Sequence, residues 1–369
     1  MKVERVTLHR LAMPLVRPFE TSFGTQTDRD VLLVHLVTSD GVEGWGECVA
    51  GADPVYSSEY VSGCEHLIEN YLAPAILAEP DITAETLDAR LRFVVGHRMA
   101  KAAVEAAVLD AQLRASGISF GRYLGAVREE VDCGVSVGIA PTLDELLDEV
   151  SGYVAEGYRR IKLKIRPGWD LEPVAAVRAL LGDDALLQVD ANTAYTPDDI
   201  DHLRELDQFG LLLIEQPFVE DDIAGHAVLA AAIDTPICLD ESITSAAIAR
   251  DAIERDATSI VNVKPGRVGG YLESVRIHDV CVERDVPAWV GGMLETGLGR
   301  ASNVALAALP GFTLPGDTSA SRRYYAEDLT EPFELVDGRL RVPTGPGTGV
   351  AVRQELVAEW ATRPPLLLR

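Results

Sequence analysis

One pattern recurs five times in the chain, an apolar run that ends in an ionisable residue: IKLK at 161–164, LLQVD at 186–190, LLLIE at 211–215, PICLD at 236–240 and IVNVK at 260–264. The final residues (164, 190, 215, 240 and 264) are 26, 25, 25 and 24 residues apart. Short, continuously apolar runs are typical of buried parallel strands, and the segments between them have helical periodicity. The repeat therefore predicts successive β-strand and α-helix units, with helices at 171–181, 197–206, 223–232, 245–255 and 271–284.

The repeat continues in both directions beyond these five runs. A further strand is predicted before them at 133–138, and two more follow them at 287–290 and 312–314. Eight strands, each but the last followed by a helix, indicate an α/β fold of the (β/α)8 barrel type or a modified form of it. An open doubly wound sheet is the alternative, but the chain lacks the glycine-rich turn of dinucleotide-binding sheets.

The ends of the chain lack this repeat. Residues 1–125 predict a small α+β unit, with strands first, a loop at 17–26 and helices from about residue 58. The barrel is assigned to 126–320. An Asp-Gly hairpin at 333–342 resembles the N-terminal strands, so residues 321–369 are expected to return to the first unit and complete it.

Composition limits the classes of function. The chain has 369 residues, of which 47% are hydrophobic and 25% charged, as in soluble globular proteins. Its net charge of −25 argues against binding to nucleic acid or to an anionic membrane. Five scattered cysteines without a C-x-x-C pair, and an N-terminus without signal-peptide character, favour a reduced, cytoplasmic setting.

Three neighbouring runs end in carboxylates: Asp190, Glu215 and Asp240. In a barrel, the carboxyl ends of the strands surround the active-site mouth, so these three groups are expected to converge there. Three converging anions repel one another unless a cation lies among them. Oxygen ligands suit Mg²⁺ better than Zn²⁺, and none of the seven histidines ends a predicted barrel strand. The sequence therefore predicts a magnesium site.

Two lysines, Lys164 and Lys264, end the runs on either side of the carboxylates. Near a metal ion and partly desolvated, a lysine is expected to have a lowered pKa and to act as a base near neutral pH. Two bases on opposite faces of a substrate suit the removal and return of a carbon-bound proton through an enediolate. A Schiff-base lysine aldolase is an alternative on the same barrel, although it has little use for three carboxylates.

The combined motif resembles the enolase superfamily, muconate-lactonizing subgroup. It comprises Lys162-x-Lys164, Asp190-Ala191-Asn192, Glu215-Gln216-Pro217, Asp240-Glu241-Ser242 and Val263-Lys264-Pro265. Within that subgroup the chain is similar to the N-acylamino acid racemase/o-succinylbenzoate synthase group, through the stretches at 18–26, 56–60, 96–101, 134–138, 291–297 and 314–321. The resemblance implies a barrel with an N-terminal capping domain.

The resemblance also implies roles for individual residues. Asp190, Glu215 and Asp240 would bind Mg²⁺ or Mn²⁺, Lys164 and Lys264 would be the acid/base pair, and Glu241 would support the metal ligands. The residues implied in binding a small carboxylate substrate are Lys162, Ser136, Asn192, Gly292, Met293, Phe19, Phe23 and Tyr56. The family forms homo-oligomers. Dipeptide epimerisation and cycloisomerisation are the alternative reactions on this scaffold.

Overall fold

The first 48 residues form three consecutive antiparallel strands in the computed structural model, which describes residues 1–369. They are β1 Val3–Thr21, β2 Gly24–Thr38 and β3 Glu43–Cys48. The apolar run at 31–36 is buried along β2. Gly41, with a φ of 80°, lies in the turn into β3, where a side chain would be strained.

The loop predicted at 17–26 is wrong, because these residues are the far end of the β1–β2 hairpin. Phe19 pairs with Gln26 and Thr21 pairs with Gly24, beyond a register shift that follows Pro14. Strand pairing satisfies backbone groups that the polar composition appeared to leave to solvent. The hairpin end is consequently held by its own ladder, with Phe19 buried and its neighbours at 16–18 exposed.

Helices cover one face of this sheet. They are α1 Val61–Leu67, α2 Ala73–Leu77, α3 Ala84–Leu91, α4 Arg98–Ser116 and α5 Phe120–Leu124, with a π-helical turn at Ile68–Leu72 and a short strand, β4 Glu130–Asp132, after α5. The long helix α4 lies directly on β3. A Cβ atom built on Gly46 would be 2.1 Å from Ala103 O, and one on Gly44 would be 2.2 Å from Ala107 O. Only glycine allows this close approach of strand and helix backbones.

Seven parallel strands follow in one curved sheet, in the order of the chain. They are β5 Gly134–Val137, β6 Arg160–Lys164, β7 Leu186–Asp190, β8 Ile214–Glu215, β9 Ile237–Leu239, β10 Ile260–Val263 and β11 Ala288–Val290. The helices between and after them are α6 Leu143–Glu156, α7 Leu171–Leu181, α8 Ile200–Arg204, α9 Ile223–Ala230, α10 Ala246–Glu254, α11 Pro265–Val268, α12 Tyr271–Glu283 and α13 Gly297–Ala307. Short 3₁₀ turns flank α8 at Pro197–Asp199 and Glu205–Phe209.

The eighth position is filled by the segment 312–316, which contacts both edges of the sheet. Phe312 bridges in parallel to Ala288 of β11, and Gly316 bridges in parallel to Cys133, next to β5. Gly134 N donates to Gly316 O over 2.7 Å. The modified (β/α)8-type fold with an N-terminal capping domain is therefore confirmed. None of the helices combines the length and apolar character that crossing a membrane requires.

The C-terminal residues return to the capping sheet, but not through the predicted hairpin. The strand β12 Arg339–Arg341 pairs with β4 at the barrel, so the assignment of 333–342 to the N-terminal sheet is wrong. After the helix α14 Gln354–Glu359, the strand β13 Leu366–Leu368 pairs antiparallel with β1. The last strand therefore occupies the free edge of β1. The prediction failed because an Asp-Gly turn alone does not specify which sheet edge a hairpin joins.

Two buried glutamates of the capping domain bind the N-termini of barrel helices. Glu47 accepts hydrogen bonds from Thr296 N (3.0 Å) and Gly299 N (3.1 Å) at α13. Glu105 of α4 accepts from Leu272 N (3.2 Å) at α12. Helix N-termini carry unpaired N–H groups and partial positive charge, which carboxylates stabilise. These contacts attach the capping domain to the barrel.

We predict that Gly46→Ala lowers the free energy of unfolding by about 1–3 kcal/mol, because the new Cβ must displace α4. Gly152→Ala is the matched control. It lies in α6 with no atom within 4 Å of the added Cβ, so it is expected to stabilise by about 0.5–1 kcal/mol through helix propensity. Urea unfolding of both variants measures the difference, and equal effects would contradict the close packing of β3 on α4.

We predict a pH-dependent contribution of Glu105 to stability. Burial raises the pKa of Glu105 from 4.5 to about 7, although its backbone donors partly oppose this. Because the folded-state pKa is the higher one, the stability of the wild type relative to Glu105→Gln should be greatest below pH 4.5. It should decrease as the pH rises towards about 7. Urea unfolding across this range tests it, with the exposed Glu331→Gln as control. A pH-independent difference for Glu105→Gln would refute the expectation.

Candidate active site

The five ionisable run ends lie at one mouth of the barrel. Lys164 is the register partner of Asp190, and Asp190 is the partner of Glu215, on three adjacent strands. Asp240 and Lys264 directly follow β9 and β10. All five side chains are buried, and the three carboxylates have no exposed surface. Parallel pairing therefore brings together residues that are up to 100 positions apart (164 to 264).

Each carboxylate is paired with a lysine. Lys164 Nζ lies 2.6 Å from Asp190 Oδ2, and Lys264 Nζ lies 2.6 Å from Asp240 Oδ2. Lys162 Nζ donates to Glu215 Oε2 over 3.0 Å. Buried charges are tolerated only when they are compensated in this way, since desolvation of an unpaired ion is costly.

The pKa values of these groups differ because each group has different charged neighbours. Burial, and next the charge of Asp190, raise the pKa of Glu215 to about 8. For Asp240, burial is opposed by the charges of Lys264 and Arg267, and its pKa is lowered. Desolvation also acts on Lys264, but the charge of Asp240 outweighs it and raises the lysine pKa well above its usual value. From the sequence, a neighbouring metal ion is expected to lower the pKa of this lysine. The carboxylates alone have the opposite effect on Lys264.

The carboxylates fit a hard divalent cation in their chemistry, although not in their present contacts. No group of three or more His, Cys, Asp or Glu side chains is arranged to hold a metal ion, since ammonium groups lie on the carboxylates instead. However, Asp240 Oδ1 and Glu241 Oε2 are buried without a hydrogen-bond donor. Carboxylate oxygens that are buried without a hydrogen-bond donor are of the kind that Mg²⁺ prefers as ligands.

Asn192 and Glu241 connect two of the charged pairs. Asn192 Oδ1 accepts from Lys164 Nζ (2.6 Å), and its Nδ2 donates to Glu241 Oε1 (3.0 Å). Asn192 has a φ of 42° and Gln216 a φ of 40°, both in the left-handed region, two residues after β7 and one residue after β8. Such strained backbone is found where surrounding contacts impose it, often at functional sites. These contacts fix the direction in which Lys164 points.

A cavity of about 350 Å³ opens above the lysines, between the barrel and the capping domain. Its wall includes every residue predicted for catalysis or substrate binding: Phe19, Phe23, Tyr56, Ser136, Lys162, Lys164, Asn192, Lys264, Gly292 and Met293. The Phe23 and Tyr56 rings are 5.0 Å apart, and Lys264 Nζ donates to Tyr56 Oη over 2.9 Å. Capping-domain aromatics therefore contact the barrel lysine directly.

Sequence reasoning missed Asp317, a buried carboxylate directly after the segment that closes the barrel. It accepts from Lys162 Nζ (2.7 Å) and from Arg160 Nη2 (2.9 Å). Arg160 and Lys162 lie 5.0 and 4.8 Å from the centre of the Trp289 ring. The alternation of Arg160 and Lys162 in an apolar strand was a signal that both point to one side, and a buried anion was needed there.

Arg267 is a second residue whose role the sequence did not establish. The segment around it is Pro265-Gly266-Arg267-Val268. It forms the short helix α11, and Arg267 Nε lies 3.3 Å from Asp240 Oδ1. Its guanidinium also donates to Tyr56 Oη. Asp240 is consequently compensated by two cations.

Comparison with known proteins agrees with this geometry. The family model described as enolase C-terminal domain-like matches residues 145–356, and the mandelate racemase/muconate lactonizing enzyme N-terminal domain matches residues 4–125. The chain is 63% identical to an N-succinylamino acid racemase from Amycolatopsis over 98% of both chains. It is 47% identical to an o-succinylbenzoate synthase from Geobacillus stearothermophilus, over 98% of this chain and 96% of that protein.

A solved structure supports the same assignment. A member of the enolase superfamily from Listeria innocua superposes with a TM-score of 0.95 at 38% identity, and the match covers 100% of this chain and 99% of the other. Both domains and the whole length of the chain are thus accounted for. The chain belongs to the mandelate racemase/muconate lactonizing enzyme family of the enolase superfamily.

Proposed function

We propose that this enzyme removes the α-proton of a small carboxylate substrate, racemises N-acyl amino acids such as N-succinyl amino acids, and catalyses the o-succinylbenzoate synthase dehydration. The observation that carries the proposal is the placement of Lys164 and Lys264 in one cavity wall, at strands β6 and β10, with three buried carboxylates on or beside the strands between them. The similarity to a racemase and a synthase named for these two reactions supports it. Both reactions require the same proton abstraction next to a carboxylate.

In racemisation, one lysine removes the α-proton and the other returns a proton to the opposite face of the substrate. Lys164 and Lys264 lie on either side of the carboxylates in the strand order, so each is assigned to a different face. The lysine that removes the proton does so as the neutral amine, and the other returns a proton as the ammonium. In the dehydration, Lys164 serves first as base and then as acid on the same face. Lys264 stabilises the enediolate by its positive charge.

Asp190, Glu215 and Asp240 are proposed to hold Mg²⁺ or Mn²⁺, with Asn192 and Glu241 supporting them. When bound, such a cation stabilises the negative charge that develops on the substrate carboxylate. Lys162, which lies between Glu215 and Asp317, contacts the substrate carboxylate from below. Residues 162, 190 and 215 thus form the charged floor of the site.

Substrate selection is assigned to the cavity wall above this floor. Ser136, Gly292 and Met293 contact the side-chain end of the substrate, and Phe19, Phe23 and Tyr56 cover it from the capping domain. We further propose a cytoplasmic homo-oligomer with three parts, a capping domain at 1–125, a barrel at 126–320 and a returning segment at 321–369. The wall then comes from both domains, whereas the floor comes from the barrel alone.

We predict that Lys164→Ala abolishes both reactions, because Lys164 is the proposed acid/base group on one face of the substrate in each of them. The loss should reach roughly 10²–10⁴-fold or more, as for the removal of other general bases. Proton NMR in D₂O measures α-proton exchange of an N-succinyl amino acid, and Lys2→Ala is the control, since Lys2 bonds Glu79 O away from the cavity. Full exchange of both enantiomers by Lys164→Ala would show the mechanism to be wrong, because Lys264 alone can serve only one of them.

We predict that chelation with EDTA abolishes activity and that Mg²⁺ or Mn²⁺ restores it. Binding to the folded state should also raise the Tm of the wild type but not that of Asp240→Asn. Asp201→Asn, at a side chain 91% exposed, should keep the Tm response.

Activity that survives complete chelation would exclude the metal, and borohydride trapping of a substrate carbonyl would instead indicate a Schiff-base aldolase. Exchange with dipeptides alone would indicate an epimerase, and lactonisation of muconate a cycloisomerase.

A further inference from the structure

Four cationic side chains line the active-site cavity: Arg29, Lys162, Lys164 and Lys264. Each lysine lies within 3.0 Å of a carboxylate oxygen. Arg29 differs from them, because no carboxylate oxygen lies within 4.0 Å of its guanidinium. It belongs to β2 of the capping domain, whereas the three lysines belong to the barrel.

Arg29 is buried with most of its donors free. Its side chain is 3% exposed, and its one hydrogen bond runs from Nη2 to Val49 O over 2.5 Å. The Nε group is buried without an acceptor. A guanidinium has five N–H donors in a planar fork, so four of the five have no acceptor in the protein.

The acidic residues near Arg29 do not compensate it. Asp30, which also lines the cavity, is taken by Arg10, with Nε to Oδ1 at 2.9 Å. Glu47 interacts electrostatically with Arg29, but its oxygens accept hydrogen bonds from the N-terminus of α13. Asp28 and Asp53 are exposed at the rim of the cavity. The buried guanidinium therefore lacks an anion of its own.

An uncompensated buried cation is costly, and in a ligand cavity the missing partner is supplied by the ligand. Arginine is suited to this, because its fork binds a carboxylate through two parallel hydrogen bonds. The cavity, at about 350 Å³, is within the size range of small-molecule sites. It joins the lysines at the barrel mouth to Arg29, so a substrate with a negative group at each end matches both walls.

We infer that Arg29 binds a terminal carboxylate on the N-acyl group of the substrate, an inference that rests on the proposed function. The α-carboxylate then lies at the charged floor and the acyl chain extends to β2. The substrate class is an N-acyl amino acid whose acyl group ends in a carboxylate, as in succinyl. A dipeptide has no such carboxylate and instead has an ammonium group on its acyl part, which the guanidinium repels.

The first test uses the wild type with three derivatives of L-phenylalanine: N-succinyl, N-acetyl, and the N-succinyl compound whose terminal carboxylate is converted to the amide. The amide has nearly the same size and lacks only the charge. We expect kcat/KM for racemisation to be at least about tenfold higher for the carboxylate than for the amide, mainly through KM. Equal values overturn the inference while leaving the proposed function intact. Absence of racemisation with all three overturns the proposed function itself.

The second test compares Arg29→Met with Arg29→Lys. In Arg29→Met the ratio of kcat/KM for N-succinyl over N-acetyl substrate should fall by about tenfold or more, and Arg29→Lys should recover part of it. The exposed Arg122→Met is the control and should keep the wild-type ratio. If Arg29→Met lowers both substrates by the same factor, Arg29 has a structural role only and the inference is wrong.

Discussion

The ion pairs at the barrel mouth are the constraint on which the rest of the structure depends. Asp190, Glu215 and Asp240 have no exposed surface, so their charge must be balanced inside the protein. Lysines at the ends of neighbouring strands supply the balance at 2.6–3.0 Å. On a protein surface such pairs contribute little, but in a buried cluster the loss of one partner leaves an uncompensated charge. The parallel barrel makes this arrangement possible, because it places all strand ends in one ring.

The chemistry of the floor could be predicted from the sequence because the information is local. The last residue of each short parallel strand lies at the same mouth of the barrel, and a period near 25 residues places the ends of successive strands side by side. The walls could not be predicted in this way. Asp317 reaches Lys162 across 155 residues, and Arg29 enters the cavity from a different domain. Their positions depend on how distant segments dock, which no local pattern records.

Two errors in secondary structure have the same origin. The hairpin end at 17–26 has the polar composition of a loop, and only its partner strand shows that it is paired. The Asp-Gly turn at 337–338 identifies a hairpin but not the edge that it joins, and β12 joins β4 near the barrel. The polarity of 17–26 and the hairpin at 333–342 were both recognised correctly. In each case the structure depended on a partner strand that is distant in the sequence.

The segment that closes the barrel is also the one that ends in Asp317. Its bridges to Cys133 and Ala288 complete the ring. Asp317, the residue after Gly316, pairs with Lys162. Because the bridge between Cys133 and Gly316 and the pair between Lys162 and Asp317 join residues that are 183 and 155 positions apart, these two contacts belong to the costly, late steps of chain organisation. Lys162 therefore acquires its final electrostatic environment only when the barrel is complete. A partly folded chain has the lysines proposed for catalysis but not the site, so the proposed activity requires that folding is complete.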